Sequence, residues 1–284
     1  MRYTVKTFNE RFPDDDSCLD YMFEQAYRSR IACPKCGIVE PSYYRVKNRK
    51  CYECNDCGNQ IHPLANTIFH KSSTSLKDWF YVIYLFSVAK NGVSAKEIER
   101  HLGVTYKCAW RIAKQVRELM NESTAPLSGT VETDETYIGG RKRGRDITFQ
   151  GKEAVFGMVE RKGKVQAMHV KTVGARVLLP KLRENIAVGT IVYSDQARVY
   201  STLKHLGYIH ASVNHSMGEY GRGVVHTNTI EGFWGQLKRS VDGTYHCVSP
   251  KYLQSYVNEF VYRYNYRLQP VFPVLIASAA RRVR

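Results

Sequence analysis

His226-Thr227-Asn228-Thr229-Ile230-Glu231-Gly232-Phe233-Trp234-Gly235-Gln236-Leu237-Lys238-Arg239 is the stretch around which the rest of the chain is organised. Ile230, Phe233, Trp234 and Leu237 recur at i, i+3, i+4 and i+7, one apolar stripe on a helix of about 3.6 residues per turn. Glu231 and Lys238 flank the stripe and point the same way, roughly 10 Å apart along the axis, and Gly235 leaves the face between them bare. A carboxylate and an ammonium beside an uncluttered strip suit a metal ion and a phosphate of a nucleic-acid strand. In isolation Asn228-x-x-Glu231 fits a capping box at a helix N-terminus equally well. Partners elsewhere in the chain decide between the two.

Upstream, residues 130–137 (Thr-Val-Glu-Thr-Asp-Glu-Thr-Tyr) alternate as a strand, with Glu132 and Asp134 on one face and Glu135 on the other. Carboxylates rarely sit on a core strand without purpose. Residues 154–159 and 164–170 continue an antiparallel meander, and residues 176–185 read as a helix with Val177, Leu178 and Leu182 inward. Thr190-Ile191-Val192-Tyr193 is a short apolar run suited to a strand buried on both faces. Asp195 then stands at its carboxyl end, where open sheets place their chemistry, unless it merely caps a helix over residues 196–206. A strand over residues 208–213 and a polar loop lead to His226. The order is three strands, helix, strand, helix, strand, helix, which brings Asp134, Asp195 and Glu231 toward one sheet edge. Three chain-distant acids ending near one place argue against three independent caps.

At 284 residues, with 43% hydrophobic and 24% charged residues, the chain reads as globular and as more than one domain. A formal charge of +16, spread along the chain and not gathered on one amphipathic helix, points to nucleic acid before membrane. The longest apolar run, residues 79–89 interrupted by Ser87, is too short to span a bilayer, so no membrane partner is expected. Met1-Arg2-Tyr3-Thr4-Val5-Lys6 leads to Asp14-Asp15-Asp16 without an apolar signal core. Five of the eight cysteines lie between Cys33 and Cys57, which favours metal over disulfides and a reducing, cytoplasmic setting.

Cys33-Pro34-Lys35-Cys36-Gly37 and Cys54-Asn55-Asp56-Cys57-Gly58 form two knuckles with seventeen residues between them, a pattern suited to one tetrahedral Zn2+ held by Cys33, Cys36, Cys54 and Cys57. Cys51 competes as a ligand or is a spare thiol on the adjoining strand. Tyr43, Tyr44, Arg45, Lys47, Arg49 and Lys50 make a basic hairpin between the knuckles. Residues 17–28 and 76–89 read as helices, the second with Trp79, Phe80, Ile83 and Tyr84 in a core. Residues 93–114 read as helix, Gly-containing turn, helix, with Ser94 and Thr105 as caps and Ala95, Ile98 and Leu102 against Val104, Ala109 and Ile112. Tyr106, Lys107, Arg111 and Lys114 are then outward, as on a recognition helix for the major groove; the plainer alternative is a helical hairpin inside a larger domain. Arg141, Lys142 and Arg143 sit at a glycine-rich basic hairpin tip. A helix over residues 252–267, with Tyr256, Phe260, Tyr264 and Arg267 near one face, covers the sheet.

The expected division is an N-terminal helical segment (1–30), a zinc ribbon (31–62), a helix-turn-helix DNA-binding region (63–120), a linker (121–128), a catalytic domain (129–268) and a basic C-terminal tail (269–284). The fold class is α/β: a mixed five-stranded sheet with flanking helices, preceded by a zinc ribbon and a helical helix-turn-helix domain.

The chain resembles bacterial insertion-sequence transposases of the DDE type, in the group related to eukaryotic Merlin elements. The resemblance rests on the four-cysteine ribbon, the helix-turn-helix, Val131-Glu132-Thr133-Asp134-Glu135-Thr136-Tyr137-Ile138-Gly139-Gly140, Tyr193-Ser194-Asp195, and residues 226–239 with their Glu-x6-Lys spacing. Thirty-six residues separate Asp195 from Glu231, close to the spacing familiar in such enzymes. The resemblance implies a ribonuclease-H-like catalytic domain. It also implies two Mg2+ ions, or Mn2+, held by Asp134, Asp195 and Glu231, cleavage and strand transfer on double-stranded DNA, and a homo-oligomer that is at least a dimer. Lys238 would hold a phosphate, and Asn228, which replaces the third acid in some relatives, is an accessory ligand candidate. His226 and His215 are candidates for orienting water or phosphate. Two rivals remain: a zinc-ribbon and helix-turn-helix regulator with an inert C-terminal domain, and a ribonuclease-H-like nuclease without joining activity.

Overall fold

The computed structural model describes residues 3–27, 32–139, 151–195, 198–213 and 222–280. The chain forms two compact units, one of residues 1–89, 95–119 and 269–284 and the other of residues 90–94 and 120–268.

The first unit opens with α1 (Val5–Arg11), which Thr4 caps by accepting from the Thr7 amide at 3.1 Å, and α2 (Asp15–Tyr27). A three-stranded antiparallel sheet follows: β1 (Tyr43–Arg45), β2 (Tyr52–Cys54) and β3 (Gln60–Ile61). Phe23 of α2 stacks on Tyr52 of β2 with ring centroids 3.9 Å apart, so the ribbon is fastened to a helix by aromatic packing. Helix α3 (Leu76–Val88) is the unit's centre, with Trp79, Phe80, Val82, Ile83 and Phe86 fully buried. Trp79 therefore belongs to a core, as expected, and its indole N–H is satisfied by Ser72 at 2.8 Å. Helices α4 (Ala95–Leu102) and α5 (Tyr106–Leu119) meet through Ile98, Ala109 and Ile112, all fully buried, and Thr105 accepts from the Cys108 amide at 3.3 Å as a cap.

The segment expected as a basic tail contains instead helix α9 (Val271–Ala279), with Phe272, Leu275, Ile276 and Ala279 buried. Pro273 lies in its first turn, where the missing N–H costs no intrahelical bond. Phe272 stacks on Tyr3 at 4.6 Å and meets Phe8 and Phe12, each at 6.0 Å, so the end of the chain completes the core of its beginning.

The second unit is a mixed five-stranded sheet of order β6-β5-β4-β7-β8, built from β4 (Thr130–Ile138), β5 (Glu153–Glu160), β6 (Val165–Val170), β7 (Ile191–Asp195) and β8 (Ile209–Val213). The first three form the antiparallel meander, and β7 and β8 run parallel to β4, as the apolar run at Ile191 requires. One face packs on α6 (Ala175–Asn185) through Val131, Phe156, Met158, Leu178, Leu182 and Val192. The other packs on α7 (Asn228–Ser240) and α8 (Pro250–Asn265) through Val155, Val159, Ile230, Trp234, Leu237 and Phe260. The expected helix over residues 196–206 is two short 3-10 turns, Arg198–Tyr200 and Leu203–Leu206, the second closed by Gly207 at φ +87°. Among the described residues no helix is long and apolar enough to cross a membrane.

Replacing Phe272 by alanine should cost the first unit about 3–5 kcal/mol. Urea unfolding followed by the fluorescence of Trp79 and Trp110, both in that unit, would measure it. A loss under about 1 kcal/mol would mean that α9 is dispensable to the core.

Candidate active site and zinc centre

The parallel register of β4 on β7 pairs Thr130 with Ile191, Val131 with Val192 and Glu132 with Tyr193. Carried two residues further, it sets Asp134 beside Asp195 at the carboxyl end of β7. Side chains level with each other on adjacent strands leave the same face. Here that face carries α7: Glu132 and Asp134 both bond to it, whereas Glu135, on the opposite face, accepts a short hydrogen bond from the Tyr200 hydroxyl. Even so, one carboxylate oxygen each from Asp134, Glu135 and Asp195 lie within 4.8 Å of one another. Glu135 is thus nearer the centre than its face of the strand suggested.

Helix α7 is fixed to β4 at two points. Glu132 Oε2 accepts from the Thr229 and Ile230 amides at 2.7 and 3.1 Å, and Trp234 Nε1 donates to Asp134 Oδ2 at 3.0 Å. Two residues of strand advance about 6.7 Å and four of helix about 6 Å, so both contacts form at once when the helix follows the strand. The indole needs room, and Gly157, paired with Asp134 across β5, supplies it. A Cβ at Gly157 would stand 2.5 Å from the Trp234 ring and 3.1 Å from Ile230.

Glu231 and Lys238 are both exposed on α7. Glu231 lies outside the 4.8 Å cluster, with its Oε1 accepting from the Thr227 hydroxyl at 2.8 Å. Asn228 is the exposed first residue of α7 and is not its cap; Thr227 occupies that position. His226 is committed to Glu132 and Arg161, 3.3 Å from Glu132 Oε1 and 2.9 Å from the Arg161 guanidinium. His215, Arg141, Lys142 and Arg143 lie outside the described residues.

Burial pushes the Asp134 carboxyl up to about 6, reinforced by the nearby charges of Asp195 and Glu231 and opposed by hydrogen bonds from the Glu135 amide and the Trp234 indole. Burial likewise pushes Glu135 up to about 7, against the Tyr200 hydroxyl that favours its ionised form. Crowded carboxylates that resist ionisation suit a divalent cation, whose charge would offset both effects, and an all-oxygen donor set suits Mg2+ or Mn2+.

In the ribbon, Cys33, Cys36, Cys54 and Cys57 bring their sulfurs within 4.8 Å of one another. The Cys33–Cys57 pair is at 3.6 Å, close to the roughly 3.8 Å edge of a tetrahedron with 2.3 Å Zn–S bonds. Amide N–H groups of Cys36 and Lys35 pull the Cys33 thiol down to about 6, favouring the thiolate that zinc requires. Gly37 at φ +74° and Gly58 at φ +69° make the two knuckle turns. Cys51 is buried outside this set.

The basic candidates divide. Lys47, Arg49, Tyr106, Lys107 and Arg111 are exposed, and Lys114 is half-buried and pairs with Glu118 at 3.5 Å. Arg45 spends its guanidinium on Asp16 at 2.9 Å and on backbone carbonyls of Val46, Arg49 and Cys51, and Lys50 lies 3.7 Å from Asp15. Sequence reasoning set Glu135 apart on the other face and passed over Arg161 and Gly157. Only Gly157 carried a signal, since glycine inside a strand marks the close approach of another group.

A mixed sheet of this order, with an acid midway along β4, another at the carboxyl end of β7 and a helix bearing a further acid laid across them, defines a ribonuclease-H-like fold of the DDE type. Residues 126–265 match the ISXO2-like transposase domain and residues 13–60 the transposase zinc-ribbon domain. The chain belongs to the transposases and carries an ISXO2-like transposase domain together with a transposase zinc ribbon. It is 26% identical over 258 residues to an uncharacterized protein in transposable element ISH50 of Halobacterium salinarum, covering 84% of this chain and 86% of that protein. It is 30% identical over 104 residues to an uncharacterized transposase-like protein of Haemophilus influenzae, covering 37% of this chain and 83% of that one. Among solved structures, a chain of the simian T-cell lymphotropic virus intasome in complex with PP2A regulatory subunit B56 gamma aligns at 12% identity and TM-score 0.32, over 63% of this chain and 66% of that one.

Two outcomes follow from this geometry. Cys33→Ser should strip zinc from the purified protein, measured by atomic absorption; unchanged zinc content would remove Cys33 from the ligand set. Gly157→Ala should cost about 1–3 kcal/mol in denaturant unfolding, because a rigid indole must move. An unaltered midpoint would show that Trp234 can yield without leaving Asp134.

Proposed function

We propose that the second unit cuts DNA at the ends of an insertion sequence and joins those ends to target DNA, with Asp134, Asp195 and Glu231 as ligands for Mg2+ or Mn2+. The observation that carries this reading is the meeting of Asp134 and Asp195 oxygens within 4.8 Å, where the middle of β4 lies beside the carboxyl end of β7 on the face that carries the Glu231 helix. When bound, a pair of such ions would activate the attacking oxygen and stabilise the departing one.

The chain's own groups orient the substrate and the ligands. Trp234 holds Asp134 in place through its indole N–H, at 3.0 Å. Lys238, exposed on the same helix as Glu231, supplies a point charge for a backbone phosphate. In the first reaction a water oxygen displaces the 3′ oxygen at the element's end, leaving a 3′-hydroxyl and a 5′-phosphate. In the second that hydroxyl displaces a 3′ oxygen of target DNA, so one phosphodiester replaces another and no energy source is consumed.

In this reading the first unit finds the ends. Lys47 and Arg49 of the ribbon, with Tyr106, Lys107, Arg111 and Lys114 of α5, contact phosphates and base edges, and Arg141, Lys142 and Arg143 add backbone contacts. Holding two ends together calls for at least a dimer.

The test is to incubate purified protein with labelled candidate ends and Mg2+ or Mn2+, scoring nicked and joined products. Asp134→Ala, Asp195→Ala and Glu231→Gln should each abolish both products while leaving end binding intact. Binding without cutting by the unaltered protein would leave a DNA-binding regulator, and nicks without joints a nuclease. Cutting retained by Glu231→Gln would pass the third ligand position to Asn228 or Glu135.

A further inference from the structure

Glu132 is the one fully buried acid of β4, and the reaction as proposed does not use it. Its Oε2 accepts from the Thr229 and Ile230 amides at 2.7 and 3.1 Å. Its Oε1 accepts from the Thr229 hydroxyl at 2.9 Å and from Arg161 Nε at 2.7 Å. The Arg161 guanidinium goes on to the carbonyls of Val224 at 2.8 Å and His226 at 3.0 Å, so it also secures the chain entering α7.

The two amides that Glu132 takes are those that an N-cap side chain would ordinarily satisfy. Thr227, at the N-cap position, makes no side-chain capping bond; its hydroxyl donates to Glu231 Oε1 instead, at 2.8 Å. Labour is thus divided: the residue placed to cap the helix orients Glu231, and a carboxylate from β4 does the capping. Stability alone does not account for this. A local Thr, Ser or Asn cap contributes about 1 kcal/mol without burying a charge, whereas burying a carboxylate and guanidinium costs several kcal/mol before their attraction is counted. What the costly arrangement adds is position, because an ion pair with several directed bonds admits one placement of the helix start relative to β4.

We infer that Glu132 is a positioning residue for the active site: with Arg161 it fixes the first turn of α7 on β4, two residues from Asp134, so that Glu231 is carried at a set reach from Asp134 and Asp195. The inference rests on the reading of Glu231 as a metal ligand.

The experiment is a double-mutant cycle on the full-length, zinc-loaded protein without DNA, titrating Mn2+ and following free Mn2+ by electron paramagnetic resonance. Glu132→Gln keeps the shape but puts an amide NH2 where a carboxylate oxygen accepted. It should weaken Mn2+ binding by about 10–100-fold in the unaltered background, the usual cost of losing a group that orients a ligand. In the Glu231→Gln background it should weaken binding no further. Arg161→Met leaves all three β4 acids and α7 unaltered and should behave the same way, and it carries the cycle if Glu132→Gln fails to fold, as judged by melting and zinc content. An equal loss in both backgrounds would reveal a general structural role and overturn the inference, as would no loss in either. Should Glu231→Gln by itself leave Mn2+ affinity untouched, the ligand assignment of Glu231 fails, and the inference falls with it for that separate and visible reason.

Discussion

A negative charge inside the second unit, with nowhere to go but the start of a helix and one guanidinium, governs the rest of its architecture. Glu132 is fully buried, and its oxygens are occupied by two amides, a hydroxyl and Arg161. Each hydrogen bond to a charged group is worth about 1.5–3 kcal/mol, comparable in sum to the desolvation it offsets. The net effect on stability is therefore small, and the effect on geometry is large. Helix α7 cannot slide or roll on the sheet without exposing an unmatched carboxylate to an apolar layer, so the acid and the ammonium it carries are held in register with the acids of the strands.

One strand serves both sides of the sheet. On the α7 face, β4 presents Glu132, bonded to the helix start and Arg161, and Asp134, which joins the acid cluster, alternate residues in different company. On the α6 face it presents Glu135, bonded to Tyr200, whose oxygen still lies within 4.8 Å of Asp134 and Asp195. Carboxylates from both faces therefore gather beside the carboxyl end of β7. Burial raises both Asp134 and Glu135, to about 6 and about 7, and the neighbouring carboxylate charges add to it.

Much of this was legible in the sequence, and the part that was not has a common cause. The meander, the buried parallel strand at Ile191 and the stripe on α7 follow from periodicity, which is local. So do the ribbon, from cysteine spacing, and the α4–α5 pair, from its Gly-containing turn. The constant offset between β4 and β7 that sets Asp134 beside Asp195 was implicit once both were taken as parallel neighbours. What misled was local evidence for features decided at a distance. Asn228-x-x-Glu231 looked like a capping box, but the cap comes from Glu132, nearly a hundred residues earlier, and no local pattern encodes that. His226 looked like a loop histidine available to substrate, whereas it sits against Arg161. Residues 196–206 carried helical spacing too short to outlast Gly207. The segment after Gln269, with two prolines and a basic end, had the composition of a tail. Only the aromatic cluster of Tyr3, Phe8 and Phe12 shows why Phe272 makes it a helix.

That last helix makes the second unit an insertion within the first: the chain leaves the first unit, builds the whole five-stranded sheet, and returns to finish what it began. During synthesis the first unit therefore remains incomplete until the ribosome has passed the second. A gene copy decaying from its 3′ end breaks the core of the first unit before it reaches the second, since every truncation ahead of Val271 removes Phe272 from the core that Phe8 and Phe12 share. The architecture leaves no simple route by which erosion from that side could release the first unit, whole, by itself.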